Sequence, residues 1–299
     1  MSKRSSGQFF TKILAYSVVA SSFHFWKQKF CMRILIPATE IEEDINAVYF
    51  LAKKSGLSKT KIKTAMQKGA VWIHTENRQK RLRKASRILK TGESISLNYD
   101  ETVLLIDPPK PQLIYLAKTY SVWNKPAGVF SGGTRFGDHC AINRLIEMKL
   151  NKPAFLVHRL DHYAWGIMIL AHSKKSARIL SGQFENREIS KHYQAIVNGQ
   201  VMQACDIRSP IDGKEAFTSL QPLMNDGKRS LVAVQIKTGR KHQIRKHLSE
   251  IGFPIEGDRL YGSSQENSLQ LASTSVTLND PETNKSVSFH LPKKLSPRL

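Results

Sequence analysis

An aspartate set among basic residues is the part of this sequence best suited to chemistry. Residues 157–161 read VHRLD, and an apolar run follows from Gly166. Residues 238–247 read TGRKHQIRKH and put arginine and histidine at the start of a predicted helix. A carboxylate at a strand edge near an arginine stays ionised, because the opposite charge favours the anion. Asp161 is therefore predicted to act as a nucleophile or as a base.

Pairs of histidines raise the alternative of a metal site. His158 and His162 are four residues apart, and His242 and His247 are five apart. The first pair would share a face only on a helix, whereas Leu160 and the apolar run after it are typical of a strand. Neither cysteine nor glutamate completes a tetrahedral ligand set at the usual spacing. A metal-dependent hydrolase is therefore disfavoured.

The elements that must position these residues are strands and helices in irregular alternation. Apolar runs predict strands at residues 167–170, 193–197 and 231–236, and helical patterns lie near residues 174–186 and 240–251. Such alternation predicts a mixed α+β domain. Residues 13–26 form an uncharged run of fourteen, which is shorter than the roughly 18 to 20 residues needed to span a bilayer.

A small α/β domain is predicted before the large one. A strand starts at Met32, residues 41–68 read as two short helices with Ser58 capping the second, and Gly69 ends it. Strands are predicted at residues 70–73 and 94–97, with a basic connection between them. The predicted division is an N-terminal segment 1–31, a small domain 32–107, a stiff Pro-rich linker 108–112 and a large domain 113–296.

Net charge indicates the class of partner. The chain of 299 residues carries 46 Lys and Arg against 24 Asp and Glu, a net charge of +22. Thirteen of the basic residues, against a single Glu76, lie within residues 53–90. This excess predicts a polyanion as partner, by default nucleic acid, with a membrane surface as the weaker alternative.

The N-terminal residues and the cysteines give information about the cellular compartment of the protein. Residues 1–31 contain no acidic residue. They are interpreted either as a targeting peptide or as an extension upstream of a functional start at Met32. The cysteines, Cys31, Cys140 and Cys205, are odd in number and far apart. This usage predicts buried free thiols in a reducing compartment, and a cytoplasmic protein without a membrane partner.

The two reactive stretches, extended to residues 157–171 and 238–262, together resemble the RNA pseudouridine synthases that modify large-subunit ribosomal RNA and some transfer RNA. The sequences NKPAG at 124–128 and KHYQA at 191–195 add to the resemblance, which covers nearly all of residues 111–295. It implies a cofactor-free isomerisation in which the bond from uracil nitrogen to ribose is cut and rejoined through carbon. Ribosomal RNA is the expected substrate. Transfer RNA, or a non-catalytic role in RNA binding or ribosome assembly, is the alternative, and a monomer is expected.

The resemblance also implies roles for five residues. Asp161 matches the essential aspartate, as a nucleophile or as a base. Tyr193 matches the tyrosine that packs on the target base and moves its proton, and Arg245 matches the arginine that pairs with the aspartate. Ile244 matches an apolar contact beside the base. Arg159 matches a residue that fills the space left by the flipped uridine.

The small domain resembles an RNA-binding module first described in a small-subunit ribosomal protein. The resemblance rests on residues 57–63, 66–73 and 89–95. A helix that carries Lys59, Lys61 and Lys63 presents several ammonium groups to phosphates. The alternative is a solvated helix face, although such a face usually mixes charges of both signs.

Two positions depart from the family pattern. Residues 162–166 read HYAWG where a Thr-Ser-Gly sequence is usual, which puts the hydrogen bonds around the aspartate in doubt. Ala272 stands where a histidine is common. Lys125, in the NKPAG turn, is predicted to be structural or to contact RNA.

Overall fold

The computed structural model describes residues 32–76, 78–262 and 268–299, and residues 32–299 form one compact unit. The N-terminal segment 1–31, with Cys31, lies outside the described residues. Within the described part, no helix is both long and apolar enough to cross a membrane. The division of the unit at residues 108–112 stays a prediction.

The first third of the unit forms a small sheet with helices against it. Its elements are β1 (Arg33–Glu40), β2 (Ile45–Asn46), α1 (Ala47–Ser55), α2 (Lys59–Gln67), β3 (Val71–Thr75), β4 (Arg78–Arg81), β5 (Ile88–Leu89), β6 (Ser94–Asp100) and α3 (Glu101–Leu104). The antiparallel sheet has the order β1-β6-β3-β4, and β2 pairs with β5. Alternate residues of β3 and β6 are buried with apolar residues of α1 and α2 in one core.

Local chemistry sets the helix bounds. Asn46 caps α1 by accepting hydrogen bonds from the next turn, and Ser58 Oγ accepts from the Lys61 backbone N–H at the start of α2, as predicted. Gly69 follows α2 with a φ of +82°. The basic connection between the predicted strands at residues 70–73 and 94–97 contains two short strands that were not predicted, β4 and β5. The backbone of β4 pairs with β3 while its charged side chains stay exposed at the sheet edge.

The rest of the chain builds a large mixed sheet. Its elements are β7 (Gln112–Leu116), β8 (Tyr120–Lys125), α4 (Ile142–Leu150), β9 (Phe155–Leu156), β10 (Trp165–Ala171), α5 (Lys174–Glu185), β11 (Ser190–Asn198), β12 (Cys205–Ile207), β13 (Thr218–Asn225), β14 (Arg229–Ile236), α6 (Gln243–Glu250), β15 (Leu271–Asn279), β16 (Ser286–His290) and a 3-10 turn (Lys293–Leu295). The order is β12-β13-β14-β11-β15-β10-β8-β7, with β16 on β15 and β9 on β10.

One parallel pair makes this sheet mixed. Among the described strands, β10 and β15 run parallel, and the other pairs are antiparallel. The predicted α+β class is confirmed. The second helix of the prediction begins later than expected, at Gln243 rather than at residue 240, because His242 has a left-handed backbone conformation.

Apolar side chains cover both faces of the large sheet. Along β10, Met168 and Leu170 enter one core, and Ile167, Ile169 and Ala171 enter the other. A strand that is buried on both faces reads as a continuous apolar run. This is why residues 167–170 were recognisable as a strand from sequence.

An ion-pair cluster joins the small sheet to the loop before α4. Arg81 Nε lies 3.1 Å from Asp138 Oδ2, and Arg83 binds the same carboxylate. The Arg81 guanidinium stacks on Trp72 at 4.2 Å, and Trp72 Nε1 donates to the Arg135 carbonyl at 3.0 Å. These groups fix the small sheet against the large domain.

The prediction that the cysteines are buried thiols holds for Cys140 and was wrong for Cys205. Cys205 begins β12, which lies at the end of the strand order of the large sheet. Side chains on such an edge strand have a neighbouring strand on one side alone, and the thiol is therefore exposed.

Replacing Gly166 by alanine should lower the stability of the protein strongly. Its φ of +109° disfavours any other residue, and an added Cβ would lie 2.2 Å from the Ser273 carbonyl oxygen on the paired strand β15. We expect a loss of about 2 to 4 kcal/mol in the free energy of unfolding, measured by denaturant titration. Gly182→Ala is the matched control, since it lies in α5 with open space around it and should stabilise by about 0.5 to 1 kcal/mol. Equal effects of the two variants would contradict this account.

Candidate active site

A cavity of about 490 Å³ brings together the five residues that were given roles in the large domain. Arg159 and Asp161 come from the loop between β9 and β10, Tyr193 from β11, and Ile244 and Arg245 from the first turn of α6. They are far apart in sequence and adjacent in space because β10, β15 and β11 are neighbouring strands.

Arg245 is held between two carboxylates. Its Nε and Nη2 atoms donate to the two Asp258 oxygens, each at 2.7 Å. Its remaining nitrogen, Nη1, donates to Asp161 Oδ2 at 3.4 Å. The Asp258 side chain is 0% exposed and that of Asp161 is 27% exposed. Asp258 is therefore the fixed anchor of the arginine, and Asp161 is the carboxylate that faces the cavity.

Burial alone would raise the pKa of Asp258, but its hydrogen bonds outweigh that effect. Arg245 and the backbone N–H groups of Leu260 and Tyr261 donate to the carboxylate, and the pKa lies below its ordinary 3.8. Sequence reasoning gave Asp258 no role. The available signal was its place in the Gly-bounded stretch at residues 252–262, which carried part of the family resemblance.

His242 is the second residue that sequence reasoning missed, because it was weighed only as a metal ligand. It occupies the N-cap position of α6 with φ +56° and ψ +28°. Its Nε2 lies 3.9 Å from Asp161 Oδ1, and its Nδ1 lies 3.0 Å from the Tyr261 hydroxyl. Burial lowers the pKa of His242 below its ordinary 6.5, against the pull of Asp161. The ring is therefore neutral at pH 7.

Tyr193 forms part of the cavity wall and is 9% exposed. Burial raises the pKa of its phenol far above the ordinary 10, and the nearby Asp161 carboxylate adds to the shift. Tyr193 is therefore a protonated phenol at neutral pH. It can pack on a flat ring and donate one hydrogen bond.

Lys125 lies under the Asp161 loop and is 0% exposed. Its ammonium donates to the carbonyls of Val129, Pro126 and His162 at 2.8, 3.1 and 3.2 Å. Of the two roles predicted for Lys125, the structural one fits, because a fully buried ammonium cannot reach an RNA phosphate. Burial lowers its pKa to about 7, although Asp161 opposes the shift.

His162, the first of the residues after Asp161 that depart from the family pattern, is held by contacts with residues 128–130. The His162 ring stacks on Phe130 with ring centres 3.8 Å apart, and its Nε2 lies 2.8 Å from the Gly128 carbonyl. On the other side of Asp161, Ser131 Oγ donates to the Leu160 carbonyl at 2.6 Å and accepts from the Leu160 N–H at 2.9 Å. Both neighbours of Asp161 are thus fixed to residues 128–131.

No metal centre was predicted, and within the described residues no group of three or more His, Cys, Asp or Glu side chains could hold a metal ion. His158 is occupied as an acceptor, since its Nε2 receives the Ile169 N–H at 2.9 Å. Burial lowers its pKa to about 3. The histidine of the VHRLD stretch is a neutral structural residue.

The cavity has a basic lining. Together with Arg245, its basic residues are Arg159, Arg187, Lys191, Lys237 and Arg240, and its acidic ones are Asp161 and Glu185. An excess of guanidinium and ammonium groups around Asp161 suits a substrate with several phosphates.

The lysines predicted to bind RNA lie elsewhere, on α2. Lys63 is exposed, and Lys59 Nζ lies 3.6 Å from the centre of the Tyr49 ring. Lys61 pairs with Glu101 at 3.1 Å. They do not line the cavity, and the pairing of Lys61 leaves Lys59 and Lys63 as the more available cations.

Comparison with known proteins identifies the class of enzyme to which this fold and cavity belong. A family model described as RNA pseudouridylate synthase matches residues 119–250. An uncharacterized RNA pseudouridine synthase of Aquifex aeolicus is 33% identical over 243 residues, which are 71% of this chain and 75% of that protein. The chain belongs to the RNA pseudouridine synthase family, a class of isomerases, as predicted.

Other similarities are consistent with this assignment. The ribosomal large subunit pseudouridine synthase D of Borreliella burgdorferi is 34% identical over 211 residues, 60% of this chain and 64% of that protein, slightly under two thirds of its length. The structure of human RNA pseudouridylate synthase domain containing 1 superimposes with a TM-score of 0.55 at 21% identity, covering 64% of this chain and 88% of the other. This structural likeness confirms the predicted fold.

Replacing Lys125 by methionine should remove a pH dependence of stability. Between pH 7 and 10.5, the folded and ordinary pKa values of Lys125, the unfolded chain binds a proton that the folded protein does not. The free energy of unfolding of the unmodified protein therefore rises with pH, by up to about 1.4 kcal/mol per unit.

In Lys125→Met this rise should be absent. The Val129 carbonyl loses its donor, whereas the Pro126 and His162 carbonyls keep backbone N–H donors, so the loss should cost about 1 to 3 kcal/mol. Denaturant titrations at pH 7, 8 and 9 measure both effects. Lys152→Met, at an exposed position, is the control. Parallel pH profiles for Lys125→Met and the unmodified protein would overturn the assignment.

Proposed function

We propose that this protein converts specific uridines of large-subunit ribosomal RNA to pseudouridine, with Asp161 as the catalytic carboxylate. The observation that carries the proposal is the position of Asp161. It faces a basic cavity, and Arg245 is held against it by the buried Asp258. Transfer RNA is the alternative substrate, since relatives with either substrate in their names match this chain.

Asp161 is suited to act at the ribose of the target nucleotide. The Arg245 guanidinium lies beside its carboxylate, and a carboxylate beside C1′ can attack that carbon, or can remove a ribose proton, as the N1–C1′ bond breaks. The 3.4 Å contact to Arg245 is long for a charge-assisted hydrogen bond. The carboxylate therefore keeps lone pairs available to the substrate.

The cavity walls are suited to hold a flipped base. A uridine must leave its stack to reach Asp161, at a cost of a few kcal/mol. The buried Tyr193 phenol packs on one face of the uracil and Ile244 supplies an apolar contact. Arg159, exposed beside the aspartate, enters the space that the base leaves.

The small domain is suited to grip the RNA away from the reacting uridine. Lys63 is exposed on α2 and Lys59 lies over the Tyr49 ring, and no carboxylate in the described residues forms an ion pair with either of them. Ammonium groups on a short helix bind phosphates without reading sequence. Lys61 contributes less because Glu101 competes for it.

Loss of the Asp161 carboxylate should abolish the modification. In cells that lack the protein, we expect pseudouridine to disappear from defined positions of large-subunit ribosomal RNA. The unmodified gene should restore those positions and Asp161→Asn should not. Asp206→Asn, at an exposed position outside the cavity, is the matched control and should restore them.

Pseudouridine mapping of ribosomal and transfer RNA measures all four strains. Disappearance from transfer RNA alone would favour the alternative substrate. Full restoration by Asp161→Asn would exclude catalysis by this carboxylate and favour a binding or assembly role.

Replacing Lys59, Lys61 and Lys63 by glutamine should flatten the salt dependence of RNA affinity. Each lost phosphate contact reduces the slope of log affinity against log salt by about 0.7 on single strands, and the turnover at saturating RNA should stay nearly constant. Lys63→Gln alone should change the slope more than Lys61→Gln, because Lys61 is paired.

Filter binding of ribosomal RNA transcripts at several salt concentrations measures the slope. The control carries glutamine at Lys118 and Lys285, which are exposed on turns of the large domain. An unchanged slope in the triple variant would rule out phosphate contacts by α2.

A further inference from the structure

His242 lies in the wall of the cavity beside Asp161, and the proposed mechanism leaves it without a task. Its left-handed backbone is costly for a residue other than glycine, by about 1 to 3 kcal/mol. This conformation brings the imidazole to 3.9 Å from Asp161. That distance is too long for a hydrogen bond, so Nε2 stays available to a third group in the cavity.

The conversion proposed above requires a proton carrier. Uridine has a hydrogen on C5 and none on N1, whereas pseudouridine has a hydrogen on N1 and none on C5. Once C5 has bonded to C1′, the C5–H bond must break. Its electron pair forms the C5=C6 double bond, the C6=N1 pair returns to N1, and N1 takes up a proton. One group that accepts the C5 proton and returns it to N1 ends unchanged.

The other acidic and basic groups near Asp161 fit this task poorly. Tyr193 is a phenol whose raised pKa keeps it protonated. His158 has its Nε2 occupied by the Ile169 N–H. Asp161 itself faces Arg245 and acts at the sugar. Lys191, also in the lining, has its pKa lowered by burial and by Arg187, and remains a rival that experiment can separate.

His242 has the required protonation state and tautomer. Burial, Arg245 and Lys241 lower the pKa of its ring, while Asp161 and Asp258 raise it, and the net shift is downward. The Tyr261 hydroxyl at 3.0 Å can accept the Nδ1–H, which leaves the Nε2 lone pair towards the cavity.

We propose that Nε2 of His242 accepts the C5 proton of the rearranged base and returns it to N1. The imidazolium that forms in between lies against the Asp161 carboxylate, which stabilises it. The inference rests on the proposed function, and its test separates the two.

The test follows cleavage of the C5–H bond directly. Ribosomal RNA transcripts made with [5-³H]uridine release tritium when this bond breaks, and transcripts made with 5-fluorouridine have no C5 proton to lose. His242→Asn keeps a side chain that tolerates the left-handed conformation. We expect it to slow tritium release about 100-fold and to leave the rearrangement of 5-fluorouridine, followed by mass spectrometry of digested RNA, at the unmodified rate.

Control variants separate the rivals. Asp161→Asn should abolish both reactions, and Tyr193→Phe should slow both alike. His290→Asn, exposed on β16, should change neither. A selective loss of tritium release in Tyr193→Phe or Lys191→Met would assign the proton to that residue and overturn the proposal, as would equal loss of both reactions in His242→Asn.

Two further readouts address folding and pH. His242→Gly keeps the backbone conformation and opens space, so added imidazole should restore tritium release. In the unmodified protein the release rate should fall at acidic pH, where the imidazolium cannot accept a proton. The fall should lie below the ordinary imidazole pKa of 6.5, because burial lowers the pKa of His242, and it should be absent from His242→Asn. Failure of imidazole to rescue a folded His242→Gly, or an unchanged acid limb in His242→Asn, would count against proton transfer by His242. If the unmodified protein releases no tritium from any RNA, the proposed function itself fails.

Discussion

One guanidinium group shared by two carboxylates is the interaction on which the candidate site depends. Only arginine can give two parallel hydrogen bonds to one carboxylate and keep a third nitrogen for another. The pair Arg245–Asp258 is buried, with side-chain exposures of 9% and 0%, and a lone charge at either position would be strongly destabilising. The pair therefore stays formed, and Arg245 presents Nη1 to Asp161 in a fixed direction.

Hydrogen bonds also fix the backbone on both sides of Asp161. Ser131 holds Leu160 on one side, and Lys125 and Gly128 hold His162 on the other. Close packing of β10 on β15 sets where the loop re-enters the sheet. A carboxylate whose neighbours are held from both sides loses little entropy when a substrate binds. The replacement of the usual residues after the aspartate by HYAWG has therefore not left this loop without support.

Several strands and helices and the residues Asp161 and Arg245 could be predicted from sequence. Strand β10 was readable because burial on both faces gives an uninterrupted apolar run, and α2 because Ser58 marks its start. Asp161 and Arg245 stood out through their surrounding motifs. The family resemblance implied that these two residues are close in space, and no local sequence pattern predicts this.

Asp258, His242 and Lys125 were missed or left ambiguous because their roles arise from tertiary contacts. Asp258 pairs with Arg245 across a turn whose sequence shows neither helical nor strand periodicity. The left-handed backbone of His242 contradicts its local preference, and residues that break local rules cluster at functional sites. The burial of Lys125 depends on three carbonyls that converge only in the fold. The strand β4 was missed for a different reason. Its backbone pairs with the adjacent strand β3, but its exposed, charged side chains show no apolar alternation.

The structure also changes what the large positive charge means. Of the thirteen basic residues within residues 53–90, five pair with carboxylates: Lys61, Arg81, Arg83, Arg87 and Lys90. Arg81 and Arg83 join the small sheet to the large domain through Asp138. Their charges are therefore neutralised within the fold. Six of the eight basic residues in this stretch that pair with no carboxylate of the described part lie on α1, α2 and β4, namely Lys53, Lys54, Lys59, Lys63, Arg78 and Lys80. Net charge thus overstates the number of cations that are free to meet a polyanion, and the proposed chemistry rests on the cavity in which Asp161 lies among basic residues.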